Sequence, residues 1–272
     1  MGIGLKTIQK KTKIKTSLNI HINENWITYC KFENNLLVGL NKITFLDKKK
    51  PARILKSIKK YLKSTDFNRA SLNINLIYYN KYSSLTPTLL YDNKYSLSFL
   101  KYNSRVNSND FVATDLILNK EITNLFIPYI DINNYIFKKF KTFDFFHYSS
   151  LLIEFFNNEI SELNSEKLFL NVNDGFFDLV FFKNKKLKFY NSFEFSKNED
   201  LLYFLIYCLN ELNLNTENIH LLCYGNITLS SSLYELLYNY IKNIEIIKLP
   251  KINSVRSDIL KSNVLLRLEK WE

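Results

Sequence analysis

Glycine and proline are scarce: the 272-residue chain holds 5 and 4 of them. Loops that cradle phosphates use glycine for close backbone approach, so a fold needing many such loops has little material here. The three cysteines, Cys30, Cys208 and Cys223, form no CxxC pair. They read as buried free thiols, which suits a reducing cytoplasm. No stretch reaches the ~18 uninterrupted apolar residues of a membrane span. The opening MGIGLKTIQKKTKIKT lacks the apolar run of a signal peptide, and Lys6 stands where a myristoylation signal requires Ser or Thr. There is no GxSxG nucleophile elbow, and His21, His147 and His220 stand at no metal-ligand spacing. A soluble cytoplasmic chain with no transmembrane segment is expected, and neither catalytic residues nor a metal site is assigned.

What is present is apolar and aromatic. Apolar residues make up 46%, with Phe 22 and Tyr 18, so a full core is attainable and disorder is excluded. The formal charge is +11. Such a charge suits a nucleic-acid or membrane-surface partner. The competing explanation is an AT-biased coding sequence, which enriches Lys, Asn, Ile, Phe and Tyr together. The lysines read as dispersed among acids and the aromatics fall in core patterns, so nucleic-acid binding is not expected.

One motif is written twice. Residues 18–45, LNIHINENWITYCKFENNLLVGLNKITF, align without a gap to residues 168–195, LFLNVNDGFFDLVFFKNKKLKFYNSFEF; 7 of 28 positions are identical. Each copy gives an apolar strand, a polar tight loop (Asn23-Glu24-Asn25; Asn173-Asp174-Gly175), a second strand, a Lys- or Asn-rich hairpin turn and a third strand. The alternative is chance in a chain rich in Asn, Lys, Phe and Leu.

After the first copy, Pro51 opens a helix whose Ile54, Ile58 and Leu62 are spaced by four. Residues 71–80 read as a strand, 83–92 as an extended segment, 95–102 as ambiguous, and 112–118 and 123–130 as strands. Asp131 is the expected cap of a short helix from Ile132 to Phe140, and 143–150 is a strand running into an apolar helix. After the second copy, 196–215 is a helix with Ser196 and Glu199 as its capping box and Leu202, Leu205, Ile206 and Leu209 as its buried face. A strand at 219–225, a helix at 230–243 and a strand at 244–250 follow; the last 22 residues are not placed. The order is βββ-α-β-α-β in the second half and begins βββ-α-β in the first. That is α/β, two similar lobes of mixed sheet and helix, at 1–145 and 146–272, with a central cleft.

Duplicated βββαβαβ lobes resemble the actin-like ATPases (ribonuclease H-like in plan; actin, sugar kinases, heat-shock chaperones, and the FtsA and PilM proteins). The stretch NVNDGFFDLVFFKNKKLKFYNSFEF sits where those proteins carry a phosphate-binding hairpin. YGNITLSSSLYELL sits where they carry a Gly-Gly turn against adenosine. Over nearly its whole length the chain is similar to an uncharacterised Bacteroidetes family with this fold, through those stretches, EDLLYFLIYCLNELNLN, SLTPTLLYD and FDFFHYSSLLIEFF.

Active members of the wider group use Asp-x-Gly followed by small hydroxyl residues to position magnesium and the phosphates. Here the Asp position aligns with Asn171 and the Gly with Asn173; in the first copy these are His21 and Asn23. Asp174 and Gly175 follow out of register and read as a tight turn, since moving them would break the strand alternation. Gly225-Asn226 replaces Gly-Gly, with Asn tolerating a left-handed backbone. Asp178 faces either the cleft or solvent. These nine residues are the candidate, degenerate nucleotide site. ATP and magnesium are not expected, and the anticipated role is a pseudo-ATPase scaffold with a protein partner. The alternatives are a cryptic nucleotide-binding ATPase using the inter-lobe cleft and a basic nucleic-acid-binding protein.

Overall fold

A computed structural model describes residues 16–34, 36–65, 72–163 and 165–247. Strands β1 (Thr16–Asn23), β2 (Trp26–Glu33) and β3 (Leu36–Thr44) precede helix α1 (Pro51–Ser64) and strand β4 (Leu72–Tyr79). Strand β5 (Ser83–Pro87), two 3-10 turns, helix α2 (Ser96–Lys101) and strands β6 (Ala113–Ile117) and β7 (Ile122–Phe126) come next. Helix α3 (Ile130–Phe140), strand β8 (Asp144–His147) and helix α4 (Tyr148–Asn158) lead to β9 (Glu166–Val172), β10 (Phe176–Lys183) and β11 (Lys186–Glu194). Helix α5 (Asn198–Glu211), strand β12 (His220–Gly225), helix α6 (Ser232–Tyr238) and strand β13 (Asn243–Ile246) complete the described chain.

Two five-stranded sheets share one strand order, β3-β2-β1-β4-β8 and β11-β10-β9-β12-β13. The expected βββαβαβ order is present in both. In the first half it is interrupted between β4 and α3 by the segment that builds a separate sheet, β5-β7-β6. Two compact units result: the described residues up to Ile77 with Tyr129–Phe145, and Tyr78–Pro128 with the described residues from Phe146 onward.

The hairpins repeat in register. His21 pairs with Thr28 and Thr28 with Lys42; 150 positions later Asn171 pairs with Asp178 and Asp178 with Ser192. The irregularity also repeats, between Lys31 and Phe32 in β2 and between Phe181 and Phe182 in β10. The β10–β11 turn places Asn184 and Lys185 at φ 53° and 57°, the paired left-handed residues of a tight two-residue hairpin.

In the second unit, β12 runs parallel to both β9 and β13, and the central strands β12 and β9 are buried on both faces. Leu168, Leu170, Phe177, Leu179 and Phe181 pack with Leu201, Leu205 and Leu209 of α5 and Leu233 and Leu237 of α6. On the opposite face Phe156 of α4 stacks on Phe169 at 4.5 Å and lies 5.1 Å from Tyr224.

Several helix starts differ from the sequence reading. Asp131 lies inside the first turn of α3, whose cap position is Tyr129; a carboxylate there still favours the positive end of the helix. In α5 the cap position is Lys197, and only the acid half of a capping box forms: the Asp200 carboxylate accepts from the Ser196 and Lys197 amides at 3.0 Å each. Leu201 and Cys208 join Leu205 and Leu209 on the buried face, while Leu202 and Ile206 are partly buried. Ser231 caps α6, accepting from the Tyr234 amide. Residues 96–101, ambiguous in sequence, are helical. Pro250 and the last 22 residues lie outside the described residues.

Candidate functional site

The second hairpin gathers most of the candidate residues around one carboxylate. Alternation along β10 sends Phe177 and Leu179 toward α5 and Asp178 to the opposite face, where α4 covers it. Asp178 is 0% exposed, which overturns the solvent-facing alternative. Its Oδ2 accepts from the Tyr148 hydroxyl at 2.6 Å, Asn171 Nδ2 at 3.1 Å and Asn173 Nδ2 at 3.3 Å. The Tyr190 hydroxyl reaches Oδ1 at 3.4 Å. Asn171 Nδ2 also donates to the Tyr148 oxygen at 2.7 Å. Burial raises the Asp178 carboxyl to about 6, with the donors from Tyr148, Asn171, Ser192 and Tyr190 opposing that rise. Burial, then the Asp178 charge, pushes the Tyr148 hydroxyl well above its usual range, so it stays a donor. The ring of Tyr148 stacks on Tyr79 at 4.2 Å.

The turn above this carboxylate is built from backbone. Gly175 has φ +79° and closes Asn173-Asp174-Gly175, with the Asn173 amide donating to the Phe176 carbonyl at 2.8 Å. The Asp-Gly tight turn expected from sequence is therefore present. Gly225 has φ +86°, and a Cβ there would lie 2.0 Å from the Val172 carbonyl oxygen. The left-handed residue of that turn is Gly225; Asn226 is not among the positive-φ residues, correcting the expected role. Asn226 instead ties the two turns together: its amide donates to Val172 O at 2.8 Å and its Nδ2 to Asp174 Oδ1 at 2.7 Å.

A second polar cluster adjoins this one. The Asp115 carboxylate accepts from the His147 amide at 2.9 Å and the Ser150 hydroxyl at 2.6 Å. Burial lifts its carboxyl to about 6 against these bonds. His147 Nε2 faces the Asn80 carbonyl at 3.1 Å, which can only accept, so Nε2 carries the proton and Nδ1 accepts from Ser149 Oγ at 2.7 Å. Asn124 Nδ2 donates to both Ser149 and Ser150 at 2.8 Å. Ser149 beside His147 has nucleophile–base spacing, yet Ser149 and Asn124 are 0% exposed. No substrate reaches that hydroxyl, and the cluster fastens β6, β7 and α4 together.

In the first hairpin, Thr28 occupies the position of Asp178, so no carboxylate is presented. His21 is 1% exposed and burial drives its imidazole down to about 3, leaving it neutral. Asn23 Oδ1 accepts from the Asn25 amide at 2.8 Å, closing its own loop. Sequence reasoning missed Tyr148, Tyr190, Asp115 and Asn124, because each is brought in from a distant element.

The architecture is that of the actin-like ATPases. A Bacteroides thetaiotaomicron protein with actin-like ATPase fold and unknown function superposes with a TM-score of 0.69 at 20% identity, covering 86% of this chain and 91% of that one. A chain of the PilM–PilN type IV pilus biogenesis complex superposes at 0.59 with 11% identity, covering 85% and 88%. Among curated proteins none matches. Residues 6–244 match the family described as Protein of unknown function (DUF3822), and the chain belongs to that family. No helix among the described residues is long and apolar enough to cross a membrane.

Proposed function

We propose that this chain is an internally duplicated, non-catalytic member of the actin-like fold that works by binding another protein. The observation that carries the reading is Asp178. It lies on the central strand of its hairpin, turned away from α5, and it is enclosed by donors from Tyr148, Asn171, Asn173 and Tyr190. A carboxylate that positions magnesium must offer lone pairs to the ion or its waters. Oδ2 of Asp178 is taken by three side chains of its own unit, and the Tyr190 hydroxyl stands at Oδ1. The two hairpin turns have Asn23 and Asn173 where glycine is required for close phosphate approach, so the residues present do not fit a magnesium nucleotide. Duplication is supported by the shared strand order and by pairing that recurs, irregularity included, at an offset of 150 residues. The likeness to PilM, seen in a complex with PilN, supports a protein partner by analogy of fold.

The test is affinity capture with the purified chain as bait, with and without Mg-ATP. The same partner should be recovered at fixed stoichiometry in both. Capture that requires ATP, or turnover of ATP by the bait, contradicts the reading.

A further inference from the structure

Helix α1 carries its charge in one direction. At 100° per residue, Arg53, Lys56, Lys60 and Lys63 project about 180° from the buried Ile54, Ile58 and Leu62. All four cations are exposed, and among the described residues none meets a carboxylate. Residues 48–63 contain eight Lys or Arg and no Asp or Glu; at the chain-wide ratio of 37 cations to 26 acids, eight cations would bring about six acids. The expected dispersal of lysines among acids fails on this stretch, and a bias toward lysine codons does not remove acids. The arrangement also works against the helix. Like charges three and four apart repel, and the first turn lacks the acid that its positive end favours.

Helix α3 extends the same surface. Lys139 Nζ donates to the Leu62 carbonyl at 2.7 Å, and Lys59 Nζ sits 5.2 Å from the Tyr135 ring centroid, so α1 and α3 lie side by side. On its outer side α3 adds Lys138 and, at its C-cap, Lys141, flanking Phe137, which is 56% exposed.

We propose that the α1–α3 face docks on an anionic lipid surface. From Arg53 to Lys63 the helix presents its cations over about 15 Å, a span that meets several headgroups at once. The charges are mostly lysines, compact point charges on flexible stems. These suit mobile headgroups, whereas phosphates of fixed geometry favour arginine forks. Clusters of this size on an amphipathic helix attract an anionic leaflet, and Phe137 supplies apolar contact at headgroup depth. The apolar face of α1 is already buried in its own unit, so the helix lies on the bilayer without entering it. Attachment is therefore electrostatic and reversible. The proposal is independent of the protein-partner reading.

The experiment is co-sedimentation of the full chain with phosphatidylcholine vesicles, with and without phosphatidylglycerol, at low salt and at about 0.15 M salt. The chain should pellet only with the anionic vesicles and remain bound at the higher salt. The variant Arg53→Gln/Lys56→Gln/Lys60→Gln/Lys63→Gln should lose about tenfold or more in vesicle affinity. A variant of equal charge change elsewhere, Lys94→Gln/Lys101→Gln/Lys186→Gln/Lys188→Gln, should keep it. Thermal melts confirm that both fold. Equal loss in the two variants, release at the higher salt, or tighter binding to RNA or duplex DNA than to vesicles at that salt overturns the proposal.

Discussion

Replacing Tyr148 by Phe removes one oxygen from the centre of the buried cluster and nothing else. The ring keeps its 4.2 Å stack on Tyr79. What disappears is a 2.6 Å donor to the Asp178 carboxylate and a 2.7 Å acceptor for Asn171. A hydrogen bond to a charged group contributes roughly 1.5–3 kcal/mol. Asn171 Nδ2 retains Asp178 at 3.1 Å, so the loss of its second acceptor adds little. The expected destabilisation at pH 7.5 is ~2–3 kcal/mol, a fall in Tm of about 5–10 °C for a unit of this size. The loss should shrink with acid. Burial places the folded Asp178 at about 6, above its ordinary 3.8. Its contribution to stability is therefore fully present below about 3.8 and is lost as pH rises through about 6. At pH 5 the folded carboxyl is largely protonated, the bond to Tyr148 is neutral, and the Tyr148→Phe loss should drop to ~1 kcal/mol. Urea titration followed by circular dichroism at both pH values reads this out. A loss below about 0.5 kcal/mol at both, or one independent of pH, would refute the enclosed-carboxylate account.

Further outcomes follow from the same geometry. Gly225→Ala forces a Cβ against the Val172 carbonyl at φ +86°, so it should cost ~3 kcal/mol or more and lower the expression yield of folded protein. Asp200→Ala removes the acceptor for the Ser196 and Lys197 amides that lead into α5 and should lower the midpoint of a urea titration. His147, held down to about 4 by burial, loses stability as pH falls from 6.5 toward 4, opposing the gain from Asp178 over that window. Asp178→Asn should therefore steepen the acid-side decline by about one proton, or ~1.4 kcal/mol per pH unit. Burial raises the Cys208 thiol to about 11 and Cys223 to about 12. Native protein at pH 8 should resist a thiol reagent until urea unfolds it.

The hairpins were legible in the sequence because each pairs neighbouring strands, and their period-2 patterns survive in the letters. The fate of Asp178 was not. FFDLVFF is buried on both faces, so alternation names two sides of β10 without saying which meets water. The cover comes from α4, and the partner hydroxyl of Tyr148 lies 30 positions away. The capping of α5 slipped by one residue because Ser196 and Lys197 both precede acids at the required spacing, and backbone geometry chose Lys197. Of the three-stranded sheet between β4 and α3, β6 and β7 were read as strands and β5 only as an extended segment, since pairing between β5 and β7 crosses 34 residues of intervening chain.

The most direct measurement is thermal unfolding of the full chain with millimolar Mg-ATP. On the proposed reading the Asp178 carboxylate is committed to its own unit and not to an ion, and Tm should not move. A nucleotide at 100 times its Kd would add ~2.7 kcal/mol, a rise of several degrees. Such a rise, removed by Asp174→Asn in the hairpin turn, would contradict the account.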